Sequence, residues 1–149
     1  MTAPIRWHHA SLTVSELDPA IRFFGEVFGF VPEFIERGMT DDIVALTGQD
    51  GLSCDFTQMR APAYPLVLEL IAFHSTAEPR PAPDALPWRP GAGHIAFHVA
   101  DFDATLALAL SHGAVMLGRP ISFPGGRSVY CRAPGDAFFE IEFLRDAAP

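Results

Sequence analysis

The chain has 149 residues, of which 49% are hydrophobic, and a formal net charge of −8 at pH 7. This length suits one domain or two small modules that share a core, and the lack of a basic stripe argues against a nucleic-acid partner. No apolar run approaches the roughly 20 residues that span a bilayer. The amino terminus shows no signal peptide. We therefore expect a cytoplasmic protein without a nucleic-acid or membrane partner.

The first half of the chain predicts a strand, a helix and then further strands. Residues 5–14 alternate apolar and polar positions, which is typical of a half-buried strand. Asp18 as the N-cap and Pro19 at the first helical position then predict the start of a helix, and Gly29 suits its end. The remaining strands of this half are predicted at 31–37, 42–47, 52–57 and 66–73.

The second half repeats this pattern after a proline-rich segment. Five prolines between residues 74 and 92 predict an extended linker. A strand is then predicted near 93–100, Asp103 is predicted to cap a helix, and Gly113 to end it. The last strands are predicted near 114–118, 127–133 and 138–144.

The two halves can be laid over each other, and each places one histidine and one glutamate at matching positions. His9 in WHHASLTV falls opposite His94 in GAGHIAFHV, while Glu69 and Glu140 lie in the closing hydrophobic strands. One His and one Glu from each copy suggest a single metal site where the copies meet. We therefore predict an α+β domain over 1–149, with βαβββ modules at 5–73 and 93–144 and a linker at 74–92.

Strand alternation tests which side chains can converge. His9, His94 and Glu140 each fall on the strand face opposite the apolar side chains that should meet a helix. His8 would point toward that helix, so His9 is the preferred candidate.

Glu69 is less clear, because its neighbours on the same face are also apolar. A carboxylate in a central strand is costly unless it is paired or bound to a cation. Taken alone, Glu69 could instead form a salt bridge with an arginine such as Arg22 or Arg60, or be exposed on an edge strand.

Three segments of the chain resemble motifs of the vicinal oxygen chelate superfamily, which includes glyoxalase I, methylmalonyl-CoA epimerase, antibiotic-resistance proteins and extradiol dioxygenases. These segments are 9–17, the GHIAFHVAD stretch at 93–101 and the PGDAFFEI stretch at 134–141. The resemblance covers residues 5–144 and implies that two βαβββ modules form a half-open barrel around a metal ion. Carried over residue by residue, the implied metal ligands are His9, Glu69, His94 and Glu140.

The resemblance also implies an activity. A ligand set of two histidines and two glutamates is most similar to that of bacterial glyoxalase I, which implies a lyase or isomerase. One divalent ion (Ni, Co, Mn, Fe or Zn) would bind vicinal oxygens of a small-molecule substrate and stabilise an enediolate. Glu140 is the first candidate for the catalytic base and Glu69 the second.

Two other functions remain open at this stage, an Fe(II)-dependent extradiol-type dioxygenase and a non-catalytic antibiotic-binding protein. Members of the superfamily pair their modules within one chain or across two, and we expect a homodimer here. The candidate substrate-pocket residues are Thr13, Phe56, His98, Phe123 and Tyr130, with Trp88 as a further aromatic candidate.

Overall fold

A computed structural model describes residues 6–76 and 86–145. Within these ranges the chain forms two β-sheets and three helices, so the predicted α+β class is confirmed. No helix in the described part of the chain is long and apolar enough to cross a membrane. The central part of the predicted linker, 77–85, lies outside the described residues.

The first sheet has the strand order β1-β4-β3-β2, in which β1 runs parallel to β4 and the other pairs are antiparallel. Its elements, in chain order, are β1 (His9–Thr13), α1 (Leu17–Phe28), β2 (Val31–Met39), α2 (Asp41–Thr47), β3 (Leu52–Ala61) and β4 (Tyr64–Ser75).

The second sheet repeats this topology with the order β5-β9-β8-β6, and β7 also pairs with β8. Its elements are β5 (Ile95–His98), α3 (Phe102–Ser111), β6 (Val115–Met116), β7 (Ile121–Phe123), β8 (Gly126–Arg132) and β9 (Phe138–Leu144). The first strand of each sheet is parallel to the last, which is the relationship that the internal duplication predicts.

The segment 42–47 is helical, so the strand predicted there was wrong. Asp41 and Asp42 lie in the first turn of α2, where carboxylates interact favourably with the helix dipole. Gly48 ends the helix in a left-handed conformation, with φ of 70°. The helix lies over the outer face of the first sheet, where Ile43 packs against Cys54 and neighbouring apolar side chains.

Both longer helices begin two residues before the position predicted from aspartate. Helix α1 has Glu16 at its N-cap, and Asp18 lies within its first turn. Helix α3 is capped by Asp101, whose side chain accepts a hydrogen bond from the backbone N–H of Ala104 at 3.0 Å. Asp103, the predicted cap, instead lies in the first turn of α3, where a carboxylate still favours the helix dipole.

One hydrophobic core joins the two sheets through the helices. Phe28 of α1 stacks on Phe97 of β5 with ring centroids 4.0 Å apart, and Phe23 packs against Phe139 of β9 at 5.3 Å. The buried leucines of β4 belong to the same cluster. The apolar faces of both sheets therefore pack on shared helices, their other faces turn away from this core, and the sheets do not close into a barrel within one chain.

Candidate functional site

Glu69 lies in the middle of β4 on the outer face of the first sheet. The leucines on either side of it are fully buried, so strand alternation turns Glu69 away from the core. Its Oε1 accepts a hydrogen bond from Ser11 Oγ at 3.0 Å, and its Oε2 accepts one from Gln58 Nε2 at 3.1 Å. Nε2 of His9 lies 3.7 Å from the same Oε2. Neighbouring strands thus orient this carboxylate beside one imidazole.

The alternative partners considered for Glu69 are not used. Arg60 donates from Nε to Glu33 Oε1 at 2.6 Å, and Arg22 forms no ion pair with a described residue. The partly buried carboxylate of Glu69 therefore lies among neutral donors and His9, with no arginine or lysine of the described residues paired to it.

Glu140 has the same arrangement on β9 of the second sheet. Ser128 on β8 donates a hydrogen bond from Oγ to Oε1 of Glu140, and Nε2 of His94 lies 3.3 Å from Oε2. The ring of Tyr130 meets the ring of His94 edge to face, with centroids 4.7 Å apart. Burial, followed by the charge of Glu140, raises the pKa of Tyr130, so this phenol remains a hydrogen-bond donor at neutral pH.

The two His–Glu pairs do not meet within one chain. Each carboxylate side chain is 14% exposed, and each lies on the sheet face that turns away from the shared core. Among residues 6–76 and 86–145, no group of three or more His, Cys, Asp or Glu side chains is close enough to hold a metal ion. The chain thus presents two half-sites with two potential ligands each.

Strand alternation predicts that His8 points toward the helix, and this prediction was wrong. It is exposed, and its Nδ1 lies 2.8 Å from Nδ1 of His9. One of these two nitrogens must donate and the other accept. With Nδ1 used in this contact, Nε2 of His9 faces Glu69.

The predicted pocket residues are distributed over both sheets. Thr13 is exposed at the end of β1, and Phe56 packs beneath α2. Nδ1 of His98 accepts a hydrogen bond from a backbone N–H of β9 at 3.3 Å, while Phe123 ends β7. Of these five side chains, Tyr130 lines a cavity beside His94.

A cavity of about 490 Å³ opens beside His94. It is lined by residues of the turn at 86–90, of the loop between β6 and β7, and of β8. Its lining residues are Pro87, Trp88, His94, Leu117, Gly118, Arg119, Ile121, Ser128, Val129 and Tyr130. The cavity therefore combines an apolar wall with polar groups from the His94–Glu140 half-site, as small-molecule sites commonly do.

Sequence reasoning missed the residues that orient the two glutamates. Gln58 pairs with Glu69 through the register of β3 and β4, and Ser128 lies one strand from Glu140. Both residues occupy ordinary polar positions of an alternating strand pattern. Only the register of each strand against its neighbour could have indicated that they reach the glutamates. Arg119 gave no signal at all, because a loop brings it to the cavity.

Comparisons with known proteins identify the family of the chain. The family model described as Glyoxalase/Bleomycin resistance protein/Dioxygenase superfamily matches residues 8–131. A 2-epi-5-epi-valiolone epimerase from Actinomyces sp. is 29% identical over 150 residues, which cover 95% of this chain and 81% of the relative.

Solved structures share the fold. A glyoxalase family protein from Bacillus cereus superposes with a TM-score of 0.80 at 22% identity, covering 96% of both chains. An antibiotic-binding protein from a Streptomyces species superposes with a TM-score of 0.60 at 17% identity, covering 97% of this chain and 99% of the other. The family match spans most of the chain, and the chain belongs to the Glyoxalase/Bleomycin resistance protein/Dioxygenase superfamily.

Proposed function

We propose that this chain is a metal-dependent isomerase that acts on a small substrate with vicinal oxygens. The observation that carries the proposal is the matched pair of half-sites, in which His9 faces Glu69 and His94 faces Glu140. The 29% identical relative is an epimerase, which favours an isomerase over a lyase.

The donor types fit a divalent ion. Imidazole nitrogen and carboxylate oxygen together suit Ni, Co, Mn, Fe or Zn, and in each half-site Nε2 of the histidine and Oε2 of the glutamate lie side by side. The proposed ligands are His9, Glu69, His94 and Glu140. When bound, the ion would polarise a substrate carbonyl.

The proposed site is completed by a second copy of the chain. Both half-sites lie on sheet faces that turn away from the core of their own chain, and two ligands alone do not make a metal centre. In a homodimer, His9 and Glu69 of one copy would face His94 and Glu140 of the other. This arrangement brings four ligands together without opening the shared core.

The chain's own carboxylates supply the proton chemistry of the proposal. Epimerisation removes a proton from carbon and returns one to the opposite side, which requires groups that accept and donate protons. Glu140 is the first candidate for the base and Glu69 the second. Ser128 holds Oε1 of Glu140, so Oε2 of Glu140 is the oxygen presented to ligand or substrate. In Glu69, Ser11 holds Oε1 and Gln58 holds Oε2.

The test is metal analysis of freshly purified protein beside Glu69→Gln and Glu140→Gln. We expect about one Ni, Co, Mn or Zn ion per chain, lost in both variants. Glu142→Gln is the matched control, because Glu142 shares a strand face with Glu140 but does not contact His94 in the structure; it should retain the ion. With 2-epi-5-epi-valiolone and its phosphate ester as the first substrates in D₂O, deuterium should appear at the inverted carbon.

Two results would overturn the proposal. Wild-type protein that stays free of metal after reconstitution would indicate a binding protein without turnover. Bound iron together with consumption of O₂ would indicate a dioxygenase.

A further inference from the structure

Among the residues that the structure describes, Arg119 is the one arginine that lines the cavity beside His94. It forms no ion pair or side-chain hydrogen bond with a described residue. Four other arginines do pair with carboxylates, namely Arg37, Arg60, Arg127 and Arg132. In a chain with a formal net charge of −8, a guanidinium that no described carboxylate pairs with is available at the cavity to an anionic group of a ligand.

Trp88 supplies a flat apolar surface on another wall of the same cavity. Trp88 is 72% exposed, so its ring is accessible to a ligand. Two consecutive turns hold the segment, with Arg89 N donating to Leu86 O and Ala92 N to Arg89 O, each at 3.0 Å. The ring of Tyr130 also lines this cavity and is 40% exposed. Aromatic walls of this kind favour a ring or an apolar chain.

The cavity volume limits what fits between these groups. A space of about 490 Å³ suits a compact molecule. Ser128 and His94 belong to the half-site, Arg119 comes from the loop between β6 and β7, and all three line the cavity. A ligand that fills this space would contact a cation, an aromatic wall and the half-site together.

We propose that this cavity binds a small molecule that carries an oxyanion group, a carboxylate or a phosphate, paired with Arg119, and a ring or apolar portion against Trp88. The inference rests on the proposed function only for the end of the molecule that reacts, which lies at the His94–Glu140 half-site. It assigns Arg119 as the residue that selects anionic over neutral substrates.

The experiment uses the fluorescence of Trp88. Trp7, the only other tryptophan, is removed by Trp7→Phe to give a single-tryptophan protein. Benzoate and phenyl phosphate are titrated as anionic probes, with benzamide as the neutral match. We expect one or both anions to quench the fluorescence at concentrations about tenfold below those needed for benzamide, and the stronger of the two identifies the oxyanion.

Substitution of the arginine separates charge from shape. Arg119→Gln should abolish the preference for the anion, and Arg119→Lys should keep part of it. Arg145→Gln, a change at an exposed arginine outside the cavity, should leave the preference unchanged. Binding of both anions no tighter than that of benzamide, no binding of any probe, or a preference that survives Arg119→Gln would each overturn the inference.

This outcome is independent of the metal analysis. A chain that discriminates anions through Arg119 but holds no metal would retain the inference and lose the proposed function. A chain that holds the metal but shows no anion preference would do the reverse.

Discussion

Glu69 and Glu140 make the same two contacts at equivalent positions of the two sheets. In each, Oε2 lies beside Nε2 of a histidine and Oε1 accepts a hydrogen bond from a serine. The serines themselves are not equivalent, because Ser11 is on β1 whereas Ser128 is on β8. The duplicated halves thus keep the orientation of the carboxylate while changing the residue that fixes it.

Mixed dimers should test the proposed completion of the site across two chains. When Glu69→Gln and Glu140→Gln chains carry different tags and are purified as heterodimers, one of the two sites would contain both substitutions and the other neither. We expect about half of the wild-type metal content to return, although each variant alone has none.

The same heterodimer also tests the alternative, in which each metal site is built within a single chain. If the four ligands came from one chain, both sites would carry one substitution, and no metal would return. Dimers of two Glu69→Gln chains that differ only in their tags are the control, since they have no intact site in either arrangement.

Removal of the serine that holds Glu140 should weaken metal binding without removing a ligand. Ser128→Ala leaves one carboxylate oxygen without its donor, and loss of such an orienting contact typically lowers metal affinity 10- to 100-fold. Competition against a fluorescent chelator would measure the change. The matched control is Thr13→Ala, on an exposed strand position that makes no side-chain contact with either glutamate; equal affinities in the two variants would contradict the prediction.

Much of the fold follows from the period of apolar residues and from turn residues. The duplicated order of elements and the helix end at Gly29 are of this kind. The segment 42–47 is not, because a seven-residue helix is too short for its apolar positions to separate a helical from an extended period. Its helical state is settled by the packing of Ile43 on the sheet beneath it.

The candidate site also contains some residues that the sequence predicts and others that it does not. Internal duplication identifies His9, Glu69, His94 and Glu140, because two copies of one pattern carry more information than one. Register between strands decides that Gln58 and Ser128 reach the carboxylates, and no local pattern encodes it. The direction in which the two half-sites face depends on α1, whose phenylalanines pack on both sheets, and a single sequence does not reveal that shared packing.

Asp55 should make the free energy of unfolding depend on pH. The backbone N–H of Gly38 donates to Asp55 Oδ1 at 2.8 Å, with His74 and Arg37 nearby. The hydrogen bond from Gly38, followed by these two side chains, holds the pKa of Asp55 below its ordinary value of 3.8 despite partial burial. A carboxyl with a lowered pKa in the folded state adds stability above its unfolded pKa and loses it as the pH falls through the folded value.

We therefore expect Asp55→Asn to lower the free energy of unfolding by about 1 kcal/mol near neutral pH. The difference from wild type should shrink as the pH falls below 3.8. Urea unfolding of both proteins at a series of pH values measures this difference in the free energy of unfolding. Asp103→Asn is the control, because the Asp103–Arg127 pair is exposed and screened, so its effect should be much smaller; a pH-independent loss in Asp55→Asn would refute the electrostatic explanation.

The stacked pair of Phe28 and Phe97 should couple the two sheets in unfolding. Phe28 belongs to α1, Phe97 belongs to the second sheet, and both are buried in the core that the sheets share. Phe28→Ala should cost about 3–5 kcal/mol, because it removes a buried ring and leaves a cavity. Since the cavity would lie between the two halves, the whole protein should still unfold in one transition, at lower denaturant concentration.

Circular dichroism and tryptophan fluorescence, followed together in urea, give the number of unfolding transitions and their midpoints. Trp7 precedes the first sheet and Trp88 precedes the second, so two independently unfolding halves would give separate transitions. Phe34→Ala is the matched control, because Phe34 is a partly exposed ring on β2 outside the shared core and its loss should cost far less. If Phe28→Ala unfolded in two steps, one half would be stable without the other, and the two outward-facing half-sites would belong to separable modules rather than to one rigid unit.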